Sequence, residues 1–289
     1  MDTIKQWSLV LIVGLLAGLP SSGRAGRSAR DSTGRSGTTL FAQSAGEVLH
    51  REFHDDSISY LLLDAQTGAV IASRWENPET PIPLGSLVKP FTALAYGEQH
   101  AFRYPAHICN GAASGCWLPR GHGPVDLTSA IAYSCNSYFR ALTSNLTASE
   151  VFPVANRFGL QTPDSSASGT AMSGLGDHWR ISPLNMARAY LELVRRRNQP
   201  GLREILGGMA ESAFRGTGIE VDRALPCPNA LVKTGTAACS HSPHAPGDGF
   251  TIAMVPADQP RILLMVRIHG TVGAKAARTA GQMLRRIQE

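Results

Sequence analysis

Three short groups of residues carry side chains suited to acyl transfer. Ser86-Leu87-Val88-Lys89 sets a hydroxyl and an amine three positions apart, and on a helix the two share a face. A serine hydroxyl is a weak nucleophile until a neighbour takes its proton. A lysine withdrawn from water and set near other cations gives up its own proton more readily, so Lys89 is a candidate base for Ser86. Ser134-Cys135-Asn136 adds a hydroxyl that could relay a proton to a leaving group and a carboxamide that could hold a substrate amide. Lys233-Thr234-Gly235-Thr236 adds a second amine, two further hydroxyls and a glycine where another backbone can approach closely. A strand edge beside the serine can offer an N–H to an oxyanion. A serine followed three residues on by lysine arises about once by chance in a chain of this length. The specificity lies in the three groups standing in this order, each in a fitting local context.

The flanking residues predict the elements that hold these groups. Gly85 and the apolar run after Ser86 predict a helix to about Glu98, with Leu87, Phe91, Leu94 and Ala95 inward. Pro90 is tolerated in a first turn and disfavoured deeper, which places Ser86 near the helix start. Leu231-Val232 leads the third group in as a strand. Ile58 to Leu63, a turn at Thr67-Gly68 and Val70 to Ser73 read as a hairpin. Residues 102–124 read as loop. Asp126 caps a helix to Tyr133, another follows from Ser137, and Thr147 or Ser149 caps one ending at Gly159. Ser182-Pro183 opens a helix to about Arg197, and Leu202 to Ala213 is another. Strands at 250–255 and 262–269 and a helix at 274–287 complete the chain. Strands from both ends must share one sheet. The expected fold is α+β: an antiparallel sheet flanked by helices, with an inserted mainly helical lobe over roughly 91–225 and the three groups at the seam.

These motifs resemble those of the serine penicillin-recognising enzymes, and most of all the transpeptidase domain of class B penicillin-binding proteins. The resemblance runs from about Ser57 to the C-terminus. Leu63-Asp64-Ala65-Gln66-Thr67-Gly68 is similar to the family's first hairpin. Cys116-Trp117 with Gly121-His122-Gly123 resembles a segment ahead of the second motif in elongation-type members, and Ile181 to Tyr190 resembles a later core helix. The resemblance implies that Ser86 is the nucleophile and Lys89 its base. It implies that Ser134, Asn136 and Lys233 complete the proton and binding network, and that Thr234 and Thr236 hold a substrate carboxylate. The backbone N–H groups of Ser86 and Thr236 would form the oxyanion hole, beside Gly235. The implied partners are peptidoglycan stem peptides, β-lactams and, further out, cell-wall synthesis proteins. No cofactor is implied. A D,D-carboxypeptidase would use the same residues. A β-lactamase is disfavoured, because Glu150 is followed four residues on by Val154 rather than asparagine. A domain acylated without turnover is the non-enzymatic alternative. Gly174-Leu175-Gly176 stands where relatives usually show Gly-Gln-Gly.

Composition sets the remaining bounds. The chain has 289 residues, 43% hydrophobic and 17% charged, with formal charge +5. No basic helix with interleaved aromatics is present, which argues against nucleic acid. Lys5 precedes an apolar run from Trp7 to Leu19, then small residues at Gly23 and Ala25. Such a run suits a signal peptide over residues 1–25 and is short for a membrane span, which needs ~20 residues. Export follows, with an uncleaved tether as the alternative. Residues 26–45, rich in Gly, Ser, Thr and Arg, read as a flexible linker to a catalytic domain at 46–289. Five cysteines leave an odd thiol. Cys109 and Cys116 lie in a Gly/Ser/Ala-rich stretch that could loop back, and are the expected disulfide. Cys227 and Cys239 flank an extended strand at ~3.3 Å per residue, beyond disulfide reach. Cys135 reads as a small packing residue. A metal cluster of Cys109, Cys116 and His122 is set aside because the spacing is loose, so no metal is expected.

Overall fold

The computed structural model describes residues 32–239 and 247–289, with side chains from Leu40 onward. The expected leader at 1–25 and the first part of the expected linker lie outside the described residues. Helix α1 spans Ser32–Glu52, so the linker expectation fails from Ser32 on. The Gly/Ser/Thr-rich composition hides a helix that needs only a narrow apolar stripe. Ala45 and Leu49 supply it, both buried against the sheet's back layer. Burying a leucine this completely contributes several kcal/mol. Leu49→Ala is therefore expected to cost about 3 kcal/mol in urea unfolding. A loss below about 0.5 kcal/mol would show that the helix is detached.

From Thr39 the chain forms one unit. Strand β1 (Ile58–Asp64) turns into β2 (Val70–Arg74). Asp64 Oδ1 accepts the N–H groups of Gln66 and Thr67, and Gly68 takes the left-handed conformation that closes the turn. Short β3 (Ile82–Pro83) leads to a 3-10 turn at Gly85–Val88 and helix α2 (Lys89–Gln99). The stretch read as loop contains β4 (His107–Cys109), a second 3-10 turn (Gly111–Ser114) and β5 (Gly123–Val125), with β4 and β5 paired antiparallel. Helices α3 (Leu127–Ala132), α4 (Asn136–Leu142), α5 (Ala148–Arg157) and α6 (Gly169–Met172) follow. Asp126 and Thr147 head α3 and α5 with capping boxes, as their sequence positions predict. Then β6 (Arg180–Ile181) pairs with β3, and α7 (Pro183–Arg195), α8 (Leu202–Arg215) and an unexpected α9 (Ile219–Ala224) precede β7 (Leu231–Ala237). Strands β8 (Asp248–Val255) and β9 (Ile262–Ile268) and helix α10 (Gly273–Gln288) finish the chain.

The main sheet has the order β2-β1-β9-β8-β7, antiparallel throughout. Strands from the two ends meet where Ile58 faces Ile268 and Asp64 faces Ile262. The fold is α+β, as expected, with helices on both faces of the sheet. Side chains alternate across the sheet. Leu61, Leu63, Ile252 and Met265 pack with Phe91 and Tyr190 of the helical side. Tyr60, Leu62, Ala253 and Leu264 pack with Leu49, Ala277 and Leu284. Because both faces are covered, these strands read as continuous apolar runs rather than alternating ones.

Candidate active site

The site begins with backbone segments packed too closely for side chains. Gly85 has φ +57°, and a Cβ there would lie 2.2 Å from the Thr236 carbonyl oxygen. Gly174 has φ +78°, and its Cβ would lie 2.4 Å from the Gly85 carbonyl oxygen. The segments at 174, 85 and 236 thus stack, and only glycine fits the first two. Gly85→Ala combines a clash with backbone and a disfavoured φ, so a loss of about 3 kcal/mol or more is expected. An unfolding midpoint equal to wild type would show that the stack yields freely.

This stack places Ser86 on the 3-10 turn, one helical turn before Lys89. Pro90 lies at the start of α2, as its sequence position predicts. The Tyr190 hydroxyl donates to the Leu87 carbonyl at 2.8 Å and fixes the turn from behind. The second motif sits where α3 ends and α4 begins. Ser134 is left-handed (φ +51°), an uncommon state for a residue with a Cβ. The bend is held by Cys135 N–H donating to the Ala130 carbonyl at 2.9 Å.

Two buried lysines tie the three motifs together. Lys89 Nζ donates to the Ser134 carbonyl at 3.0 Å and to Asn136 Oδ1 at 2.7 Å. Lys233 Nζ donates to Ser134 Oγ at 2.9 Å and to the Thr234 carbonyl at 2.7 Å. Neither lysine has solvent exposure. Burial pulls Lys89 down to about 7. Burial, reinforced by the nearby Lys89 ammonium, pulls Lys233 well below the ordinary lysine range. Among the described residues, no hydrogen bond joins Lys89 Nζ to Ser86 Oγ; the Lys89 hydrogens go to the second motif.

A cavity of about 380 Å³ opens in front of the lysines. Ser86, Ser134, Asn136, Thr234, Gly235 and Thr236 line it. Every candidate named from the sequence thus either lines the cavity or, like Lys89 and Lys233, bonds to a residue that does. Six lining residues received no role from the sequence: Trp117, Leu175, Thr217, Val272, Gly273 and Ala274. Thr217 shares a 2.6 Å hydrogen bond with Thr234 Oγ1 and anchors to the Ala132 carbonyl through its own N–H. Trp117 donates Nε1–H to the Tyr133 carbonyl. The Gly273 N–H, at the start of α10, donates to Thr236 Oγ1 at 3.1 Å. No sequence signal marks Thr217 or Val272, since each acts only through contacts distant in the chain.

The cysteines depart from expectation. Cys109 and Cys116 are both free thiols, so the expected disulfide is not formed, and Cys135, Cys227 and Cys239 are free as well. The His122 ring faces both expected partners, with Nδ1 3.5 Å from each sulfur. Cys135 Sγ lies 3.9 Å from Cys116 Sγ. The donor atoms of Cys109, Cys116, His122 and Cys135 all fall within 4.8 Å of one another. The metal reading set aside for loose spacing thus has its donors in contact, with a fourth from the second motif. Cys239, Asp248 and His269 bring three donor atoms equally close at the end of the sheet.

The chain belongs to the penicillin-binding protein transpeptidase domain family, whose model matches residues 58–289. No curated protein sequence matches it. Solved structures share the fold at low identity. The Pseudomonas aeruginosa PBP2 structure, in complex with WCK 5153, superposes with TM-score 0.68 at 18% identity, over 86% of this chain and 73% of that one. The apo transpeptidase domain of Burkholderia pseudomallei penicillin-binding protein 3 gives 0.64 at 18% identity, over 88% and 92%. Helicobacter pylori PBP2, in its complex with MreC, gives 0.68 at 15% identity, over 86% and 62%. The family is one of acyl-transfer enzymes of peptidoglycan and β-lactam recognition.

Proposed function

We propose that this protein is a serine D,D-transpeptidase-like enzyme acting on peptidoglycan stem peptides outside the cytoplasm, and that β-lactams acylate it as substrate mimics. The observation that carries the reading is the joining of two hydroxyls and two buried lysines at one cavity. A neutral Lys89 amine has two hydrogens, engaged by the Ser134 carbonyl and Asn136, and one lone pair. That lone pair is left to accept the Ser86 proton. Ser86 Oγ then attacks the carbonyl carbon of the penultimate D-alanine. The backbone N–H groups of Ser86 and Thr236 receive the developing oxyanion. Ser134, accepting from Lys233, passes a proton to the nitrogen of the departing D-alanine as the peptide bond breaks, and the proton taken up by Lys89 restores the Ser134 hydroxyl. An amine of a neighbouring strand attacks the ester, forms the new amide and returns Ser86 its proton. Thr234, Thr236 and Thr217 offer hydroxyls to the substrate carboxylate.

Export by the 1–25 leader, or retention by it as a tether, fits the same assignment. Cell-wall synthesis proteins are the partners the fold family suggests. The test is intact-mass spectrometry after a penicillin, then after a stem pentapeptide with a primary-amine acceptor. The expected results are a stable penicillin adduct and a cross-linked product that releases one D-alanine. Release of D-alanine with water as the only acceptor would make it a carboxypeptidase. Rapid catalytic turnover of nitrocefin would make it a β-lactamase. Absence of any adduct would overturn the acylation assignment.

A further inference from the structure

We infer that Cys239, Asp248 and His269 bind a Zn²⁺ ion that clips together one end of the main sheet, beside the third motif. Cys239 follows the end of β7, Asp248 begins β8 and His269 follows the end of β9. Asp248 pairs with Ala237 in the β7–β8 ladder. The His269 N–H donates to the Ser57 carbonyl at 2.9 Å, which carries the β9–β1 pairing one residue further. The backbone thus delivers a thiol, a carboxylate and an imidazole to one place. Their donor atoms lie within 4.8 Å of one another.

A buried carboxylate needs a counter-charge or several donors. Asp248 is only 2% exposed. Among the described residues its side chain has one hydrogen-bond partner, His269 Nδ1 at 2.9 Å. Arg267, a neighbouring cation on β9, is committed elsewhere. It donates to Ser59 Oγ at 2.8 Å and lies over the Trp75 ring, 4.9 Å from its centre. Thiolate, imidazole and carboxylate are ligand types that zinc takes. A tetrahedral site has ligand-to-ligand edges of about 3.3 to 3.6 Å. The imidazole and carboxylate are already that near. Cys239 is only partly buried and lies past the last ladder pair of β7. It can therefore close the remaining gap, at most about 1.2 Å, without disturbing the ladder. On binding, the thiol proton leaves to solvent, and the neutral imidazole keeps its proton on the nitrogen that the ion does not take.

Three protein donors leave one coordination position, which water fills. None of the three residues lines the active-site cavity, so the ion acts on position rather than on substrate. Held to β8 and β9 through Cys239, the exit of β7 is fixed just beyond Thr236, whose N–H is assigned above to the oxyanion. That consequence rests on the proposed function, whereas the metal site itself does not.

The test follows the thiols one by one in the full chain, kept reduced with a phosphine. Alkylation by iodoacetamide is read by peptide mass spectrometry with and without micromolar Zn²⁺. Cys227, exposed and outside both donor clusters, is the control. Zinc should slow alkylation of Cys239 by about tenfold or more and leave Cys227 unchanged. His269→Gln and Asp248→Asn should each remove that protection. Cys239→Ser changes a partly buried residue past a strand end, so it should fold as the wild type does. Its zinc content should be lower by about one ion per chain, whatever the other cysteine cluster holds. With Co²⁺, the wild-type minus Cys239→Ser difference spectrum should show thiolate charge-transfer absorption. Equal alkylation of wild-type Cys239 with and without zinc, or equal metal content in wild type and Cys239→Ser, would overturn the site. Both readouts are independent of acylation, so a protein that captures no penicillin but passes them would keep this site and lose only the proposed function.

Discussion

Ser86→Ala is expected to abolish covalent capture of a labelled penicillin, with acylation falling by about 10⁴-fold or more. The serine lies on a turn whose shape is set by Gly85 and by the Tyr190 hydroxyl bonded to Leu87. Removing one oxygen leaves those contacts intact. The variant should therefore fold as the wild type does and still bind penicillin reversibly in the cavity. Equal labelling of both proteins, followed by mapping of the adduct to another residue, would reject the nucleophile assignment.

Lys89→Met should reduce acylation by about 10³-fold and change its pH dependence. In the wild type only the neutral amine can take the Ser86 proton. The neutral fraction rises as pH passes through about 7, so the acylation rate should climb below that value and level off above it. The methionine variant should lack that limb. Stability supplies a second reading with its own sign. The folded-state value lies below the ordinary lysine value of 10.5. Between about 7 and 10.5 the unfolded chain therefore binds more protons, and folding becomes more favourable as pH rises. Below about 7 the full cost of burying an ammonium is present. Replacing Lys89 by methionine removes this dependence, so the stability gap between the proteins should change across that window and be constant below it. An acylation profile identical in both proteins would exclude Lys89 as the base.

The three motifs are legible in the sequence because each depends on short spacing. Ser86 and Lys89 are one turn apart, Ser134 and Asn136 flank one bend, and Lys233 to Thr236 lie on one strand. The sheet is legible for the same reason: continuous apolar runs and turn residues such as Asp64 and Gly68 act locally. What escapes the sequence arises between segments. Thr217 matters only because the end of α8 passes Thr234. Residues 102–124 look like loop because their strands are three residues long and pair only with each other. The Cys109–Cys116 pairing looked plausible because a flexible stretch joins them. Cys135, more distant in sequence, also lies beside Cys116, with its sulfur 3.9 Å away. Helix α1 was hidden because Ala45 and Leu49 form a stripe too narrow to stand out among glycines and serines.

The start of α10 touches the third motif through Gly273, while Met283, Leu284 and Ile287 further along it pack under the sheet and Arg286 pairs with Glu52 of α1. A chain in which residues 273–288 have not yet docked would already possess every reactive group, yet it would lack the wall that orients Thr236. Such a chain should be inert toward antibiotic. Reactivity would then report completion of folding, arriving late and all at once.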